Sequence, residues 1–189
     1  MIDWSWKLRE ALERIRCDYP NIGRKTGAPF LAVVYPPEAE SAVLREWRGL
    51  SGTLQPDFEV RSVDLLTVTM AVVVRLGAQN IDIVSAIEDP MPGADPEAEL
   101  GRMWVTAAVS AVREASRAPA SGKLVVSLER LAALYPAAGP RAVMQAIWES
   151  GQSPLDGPVV VLVPGTLKDA RTYSFLNRRD EFMYRGEIL

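Results

Sequence analysis

The feature of this sequence that most constrains its fold is a set of short, uninterrupted apolar runs. The clearest is 158–163, where a proline is followed by five branched aliphatic residues, and 29–35 has the same character. Branched aliphatic residues favour strands, and a strand without polar alternation is covered on both of its faces. Such strands are typical of parallel sheets that have helices on both sides. The runs therefore predict an α/β protein.

The segments around these runs alternate between helix and strand patterns. Apolar residues recur at the three- and four-residue spacing of a helix face, and prolines and glycines separate the segments. Because strands separated by helices need crossover connections, we predict a single α/β domain over residues 1–189, with a mostly parallel central sheet of about four strands covered by helices. The predicted strands are 29–35, 58–65, 123–128 and 158–163, and the predicted helices are 3–16 with Asp3 as the N-cap, then 36–50, 96–117 and 140–150.

Composition predicts the remaining segments. Residues 66–76 are too apolar for an exposed helix, so we expect them inside the core. Pro164-Gly165 should end the last of the four strands, and the turn-forming residues of 151–157 should form a loop. In the tail we predict a C-terminal β-hairpin, formed by two β-rich runs at 171–176 and 182–188 with 177–181 between them.

The inventory of side chains excludes several kinds of chemistry. The chain has no histidine and a single cysteine, Cys17, which excludes a Cys/His zinc site, a His-based catalytic triad and an intramolecular disulfide. No strand is followed by a Gly-rich dinucleotide motif or a Walker motif. Residues 164–168 contain one glycine and Lys168, a combination that is able to hold an anion. A turn that ends the strand is the preferred interpretation of this segment. We predict no catalytic residue, no metal and no cofactor.

Charge and hydropathy argue against nucleic acid and membranes as partners. The net charge is −3 and the pI is near 5.2, whereas nucleic-acid binders are usually basic. We therefore expect no tight DNA binding by the protein alone. No stretch approaches the roughly 18 to 20 uncharged apolar residues of a membrane span, and charged residues interrupt the N-terminal segment. We expect a cytoplasmic protein that does not contact a membrane.

One stretch of the chain is strongly acidic. No basic residue lies between Gly77 and Gly101, and the acidic residues there are Asp82, Glu88, Asp89, Asp95, Glu97 and Glu99. Carboxylates are ligands for hard cations, but their spacing here matches no EF-hand loop. The preferred interpretation is a solvated acidic loop or a surface for a basic partner.

The tail combines arginine with aromatic residues, and three interpretations are open. Such a set is able to clamp a single nucleic-acid strand by stacking, or to form a protein interface, where both residue types are enriched. Alternatively the tail is a hairpin that closes the core. Neighbouring acidic residues nearly cancel the positive charge, which weakens the nucleic-acid interpretation. The residues concerned are Arg171, Tyr173, Phe175, Arg178, Arg179, Phe182, Tyr184 and Arg185. Five of them are our candidate partner-binding residues: Tyr173, Phe175, Arg178, Tyr184 and Arg185.

Several landmarks occur in a specific order along the chain. They are VVYPPE at 33–38, VDL at 63–65, the segment 131–141 with Tyr135-Pro136, the segment 159–165, YSFLN at 173–177 and MYRGEI at 183–188. Together they resemble the BrxB family, a small component of the BREX bacteriophage-exclusion systems. The resemblance covers about 29–189 and is best in the C-terminal third.

The resemblance implies an auxiliary protein of antiphage defence, without an established catalytic site, that confers phage resistance together with other proteins. These are a phosphatase-superfamily PglZ protein, a large ATPase and a DNA methyltransferase. We therefore predict a non-catalytic adaptor that docks a PglZ-type protein through the five tail residues above, with the ATPase and the methyltransferase as further partners. The alternatives are an enzyme with a degenerate nucleotide-binding site and an accessory nucleic-acid-binding protein.

Overall fold

The computed structural model describes residues 4–23, 25–150, 155 and 157–189. Its helices are α1 (Ser5–Asp18), α2 (Glu40–Gly52), α3 (Leu65–Ala78), α4 (Ile83–Glu88), α5 (Pro96–Arg117) and α6 (Pro140–Glu149). Its strands are β1 (Phe30–Tyr35), β2 (Phe58–Asp64), β3 (Lys123–Glu129), β4 (Val159–Leu167), β5 (Thr172–Phe175), β6 (Arg179–Phe182) and β7 (Glu187–Ile188). Short 3₁₀ turns lie at Tyr19–Asn21, Pro37–Ala39 and Leu131–Leu134.

The central sheet has the order β2-β3-β4-β1-β7, and its neighbouring strands are parallel. The chain passes from β1 through α2 to the far edge at β2 and then returns through β3 to β4. Right-handed crossovers that run in opposite directions place their helices on opposite faces of a sheet. The predicted α/β class, with a mostly parallel sheet covered by helices, is confirmed.

Two apolar clusters sandwich this sheet. On one face α1 and α2 pack with Leu8, Ile15 and Trp47 against alternate residues of β1 and β4. On the other face α3, α5 and α6 cover the remaining residues of those strands. Because both faces of β1 and β4 are covered, all six residues of β1 and the segment 159–163 are buried, as the uninterrupted apolar runs predict.

Strand β4 continues beyond the point where we expected it to end. Pro164 pairs with Tyr35 in the parallel sheet, and Gly165 then pairs with Phe175 in an antiparallel ladder. A Cβ on Gly165 would lie 2.2 Å from the carbonyl oxygen of Ser174, so glycine permits the close approach of β5. The prediction that Pro164-Gly165 ends the strand was therefore wrong.

The C-terminal hairpin exists, but its second strand was wrongly predicted. Three of the four residues of β6 lie within 177–181, the segment expected to be a loop, and 183–188 is irregular apart from β7. The chain reverses at Leu176 and Asn177, which both have positive φ, and Arg178 N donates to the Phe175 carbonyl at 3.0 Å. Asparagine tolerates this conformation, whereas leucine does so rarely, so the turn carried no clear sequence signal.

Helix α3 is only half buried, contrary to the expectation for 66–76. Leu65, Thr69, Val72 and Leu76 face the core, while the opposite side of the helix is exposed. Asp64 caps the helix by accepting from Leu66 N and Thr67 N. An apolar segment is therefore present at the surface, where composition alone did not place it.

Other boundaries are close to the predicted ones. Helix α1 begins at Ser5, with Trp4 at the N-cap position; the proposed cap Asp3 lies outside the described residues. The predicted loop 151–157 lies mostly outside them too. In the acidic stretch, Asp82 caps the short helix α4, so part of the expected loop is helical.

None of the helices in the described ranges is long and apolar enough to cross a membrane.

Two buried tryptophans differ in how their indole N–H groups are paired. Trp47 Nε1 donates to Ser127 Oγ at 2.8 Å and so connects α2 with β3. Trp104 Nε1, on α5, is buried without a hydrogen-bond partner among the described residues. We therefore expect Trp47→Phe to lower the free energy of unfolding by about 1–3 kcal/mol more than Trp104→Phe, because only the first change breaks a buried hydrogen bond. Urea denaturation of both variants measures this difference, and equal losses would contradict it.

A carboxylate at the edge of the sheet connects β2 with the segment that follows α5. Glu59 accepts hydrogen bonds from Arg61 Nε at 2.6 Å and from Ser121 N at 2.7 Å, and Arg61 donates in addition to three carbonyls of 115–119. The hydrogen bond from Arg61, followed by those from Ser121, lowers the pKa of Glu59 from 4.5 to about 2. The folded state therefore keeps Glu59 ionised at a pH where the unfolded chain takes up a proton.

This pKa shift predicts a specific acid dependence. The contribution of Glu59 to stability is complete above about pH 4.5 and is lost as the pH falls towards about 2. In Glu59→Gln the stability should therefore fall less steeply over this range than in the wild type. Urea titrations at pH 6, 4 and 2.5 test this, and parallel pH profiles for the two proteins would show that the carboxylate does not contribute.

Candidate partner-binding surface

Two of the five predicted docking residues are in the core. Tyr173 and Phe175 lie on the inner face of β5 and are fully buried in the cluster beneath α5 and α6. The Tyr173 hydroxyl donates to Glu181 Oε2 at 3.0 Å. Burial, and then the nearby charge of Glu181, raises the pKa of Tyr173, so the hydroxyl remains a donor. These two residues close the core, as one interpretation of the tail proposed, and neither is available at the surface.

The other three predicted residues reach the surface. Arg178 and Arg185 are exposed, and Tyr184 is half-buried with its hydroxyl 3.3 Å from Glu149 Oε1. The Arg185 guanidinium lies 5.7 Å from the ring centre of Tyr184 and 6.0 Å from that of Trp148. An arginine held over aromatic rings loses less conformational freedom on binding a partner.

The tail has a further exposed aromatic residue. Phe182, on β6, is 56% exposed. It lies on the opposite face of β6 from Arg179 and Glu181, which turn inwards. Arg179 donates to Ala138 O, and Glu181 accepts from Arg141 N. Phe182 belongs to the arginine and aromatic set recognised in the tail, but it was not among the five docking residues, because its outward orientation depends on the alternation along β6 (Arg179–Phe182), most of which was expected to be a loop. We call Arg178, Phe182, Tyr184 and Arg185 the tail surface.

The outer side of α3 forms a second exposed surface, and it is apolar. Leu66, Met70 and Val74, spaced four residues apart, are 42%, 51% and 67% exposed. The following segment, which packs against α3 through α4, exposes further apolar residues: Ile81, Val84 and Ile87. We call Leu66, Met70 and Val74 the α3 surface. The acidic residues of 82–99 follow helix α3 in the chain. In the described ranges, no group of three or more His, Cys, Asp or Glu side chains is placed to hold a metal ion.

The candidate nucleotide site at 164–168 is part of the hairpin. Its residues up to Leu167 belong to β4, and Lys168 Nζ forms an ion pair with Asp180 at 2.6 Å. Lys168 N donates to the Thr172 carbonyl. These backbone and side-chain donors are engaged within the protein and do not form a phosphate-binding loop.

Comparisons of the chain with protein-family models, with curated proteins and with solved structures found no match.

The division of the tail into buried and exposed residues predicts two kinds of variant. Tyr173→Ala should lower the free energy of unfolding by about 3–5 kcal/mol, because it leaves a cavity in the core and removes one of the hydrogen bonds to Glu181. Arg178→Glu combined with Arg185→Glu should change it by less than about 1 kcal/mol, because both side chains are exposed. Urea denaturation followed by circular dichroism tests both values. A double variant as unstable as Tyr173→Ala would place the arginines in the core.

Proposed function

We propose that this protein is a non-catalytic adaptor of a BREX-type antiphage defence complex, acting in the cytoplasm, and that it docks a PglZ-type protein. The partner comes from the resemblance to the BrxB family. The adaptor role is supported by one observation above all, the exposed apolar α3 surface. Single exposed apolar side chains are common, but three on one side of a helix, followed by others on the next helix, are typical of protein interaction sites.

The tail surface supports the same function through its composition. Arginine and aromatic residues are enriched in protein interfaces and supply most of the residues that dominate binding energy. Arg185 lies over two aromatic rings, and Phe182 offers an exposed apolar side chain in the same tail segment. The acidic residues Asp169 and Asp180 lie in the same hairpin and reduce its attraction for nucleic acid. Protein docking therefore fits this surface better than DNA binding.

Co-purification tests the proposal. The tagged protein is produced together with a PglZ-type protein from the same source, and the complex is isolated at physiological salt. We expect a stable complex with the wild type. Met70→Glu combined with Val74→Glu should reduce the recovered partner at least tenfold, a loss of about 1.4 kcal/mol or more, because a charge inside an apolar contact is not solvated. Arg178→Glu combined with Arg185→Glu tests the tail surface in the same way.

A matched control separates docking from general charge effects. Arg9→Glu combined with Arg117→Glu reverses two exposed arginines outside both surfaces and should leave the complex intact. Circular dichroism confirms that each variant is folded. If the wild type recovers no PglZ-type protein, the proposed function is wrong; if the complex forms and only one double variant disrupts it, that surface is the docking site.

A further inference from the structure

A cleft lies where β1, β2 and β3 end. It has a volume of about 640 Å³, and it is lined by residues that follow each of these three strands, including Glu40, Leu44, Arg45, Arg48, Leu66 and Arg130. Parallel α/β sheets bind ligands at the carboxyl ends of their strands. The volume also falls within the range of small-molecule sites, about 300–1,000 Å³.

A buried carboxylate positions the first of three arginines in this cleft. The side chain of Glu129, at the end of β3, is 1% exposed, accepts from Ser62 Oγ and forms an ion pair with Arg48 Nη2 at 3.1 Å. The Arg48 side chain is 56% exposed. A buried carboxylate needs such a partner, since an unpaired buried charge is strongly unfavourable. Glu129 therefore holds one side of the Arg48 guanidinium group, while the remaining N–H groups of Arg48 face the cleft and solvent.

The second arginine follows Glu129 directly and has an unusual backbone. Arg130 has a φ of 56°, in the left-handed region, and its Nη1 lies 3.3 Å from Asp64 Oδ2. Non-glycine residues adopt this conformation rarely and at a cost, and such residues cluster at ligand sites. Here the conformation turns the Arg130 side chain towards Asp64 and the cleft.

The third arginine has no ion-pair partner among the described residues. Arg45 is exposed on α2, one turn before Arg48, and makes no ion pair or hydrogen bond with any described residue. The carboxylates around it are engaged: Glu40 accepts from the Tyr35 hydroxyl at 3.3 Å, and Glu129 and Asp64 hold the other two arginines. These carboxylates therefore do not occupy all the N–H groups of the three arginines, and the N–H groups that remain are available to a ligand in the cleft.

We propose that this cleft binds a phosphorylated small molecule. Planar guanidinium groups donate pairs of parallel hydrogen bonds that match phosphoryl oxygens, and two of the three groups here are already oriented by carboxylates. Leu44 and Leu66 provide an apolar wall for the part of the ligand that carries the phosphoryl group. The site requires no P-loop and is separate from residues 164–168. It does not depend on the proposed docking of a partner.

Isothermal titration calorimetry of the full chain with pyrophosphate and with AMP tests this site, at low salt and with sodium chloride of equal ionic strength as the reference. We expect a dissociation constant below about 1 mM for at least one of the two ligands. Arg45→Gln and Arg130→Gln should each weaken binding about fivefold or more. These variants should fold, because Arg45 has no partner in the part of the chain that the structure describes and Arg130 is partly exposed. Arg48 is left unchanged because it neutralises buried Glu129.

Arg117→Gln is the matched control, since this exposed arginine at the end of α5 lies outside the cleft. Its affinity should stay within about twofold of the wild type. Equal binding of pyrophosphate and AMP would show that the phosphoryl group alone is recognised, and tighter binding of AMP, weakened by Leu66→Ser, would show that the apolar wall contributes. The proposal is wrong if neither ligand binds, or if the cleft variants bind as tightly as Arg117→Gln.

Discussion

The pairing of β1 with β4 is the interaction on which the other elements depend. Six residue pairs run in register from Phe30–Val159 to Tyr35–Pro164, at the centre of the sheet. Because neither strand offers a polar face, both sides must be covered to remove apolar surface from water. Helices α1 and α2 cover one side, and α3, α5 and α6 cover the other. The remaining strands extend the sheet from this centre.

The parallel arrangement also determines where polar side chains collect. Parallel strands end at the same edge, so Tyr35, Asp64 and Glu129 come together although they are far apart in the chain. The arginines that neutralise Asp64 and Glu129 therefore lie at this edge too. β4 differs from its neighbours because it continues beyond this edge into the hairpin.

The sequence predicted which residue types the candidate surfaces contain, but not which of these residues are exposed. The arginines and aromatic residues of the tail were recognised as a group, but the register of the hairpin decides that Tyr173 turns inwards and Phe182 outwards. A one-residue shift of register would reverse this. Similarly, the apolar character of α3 was evident, yet its outer side is exposed, because only one side of the helix contacts the core. Neither result follows from hydropathy alone.

The sequence by itself determined the α/β class, the strands around 30–35 and 159–163, and helix α5 with the bounds 96–117, because these follow from local periodicity, branched residues and proline positions. Only the tertiary structure decided the strand order, the extension of β4, the exposed side of α3 and the cleft. Arg48 and Glu129 are separated by 81 positions in the chain and are brought together only when α2 packs across the sheet. Such contacts have no local signal, because they depend on how distant elements pack.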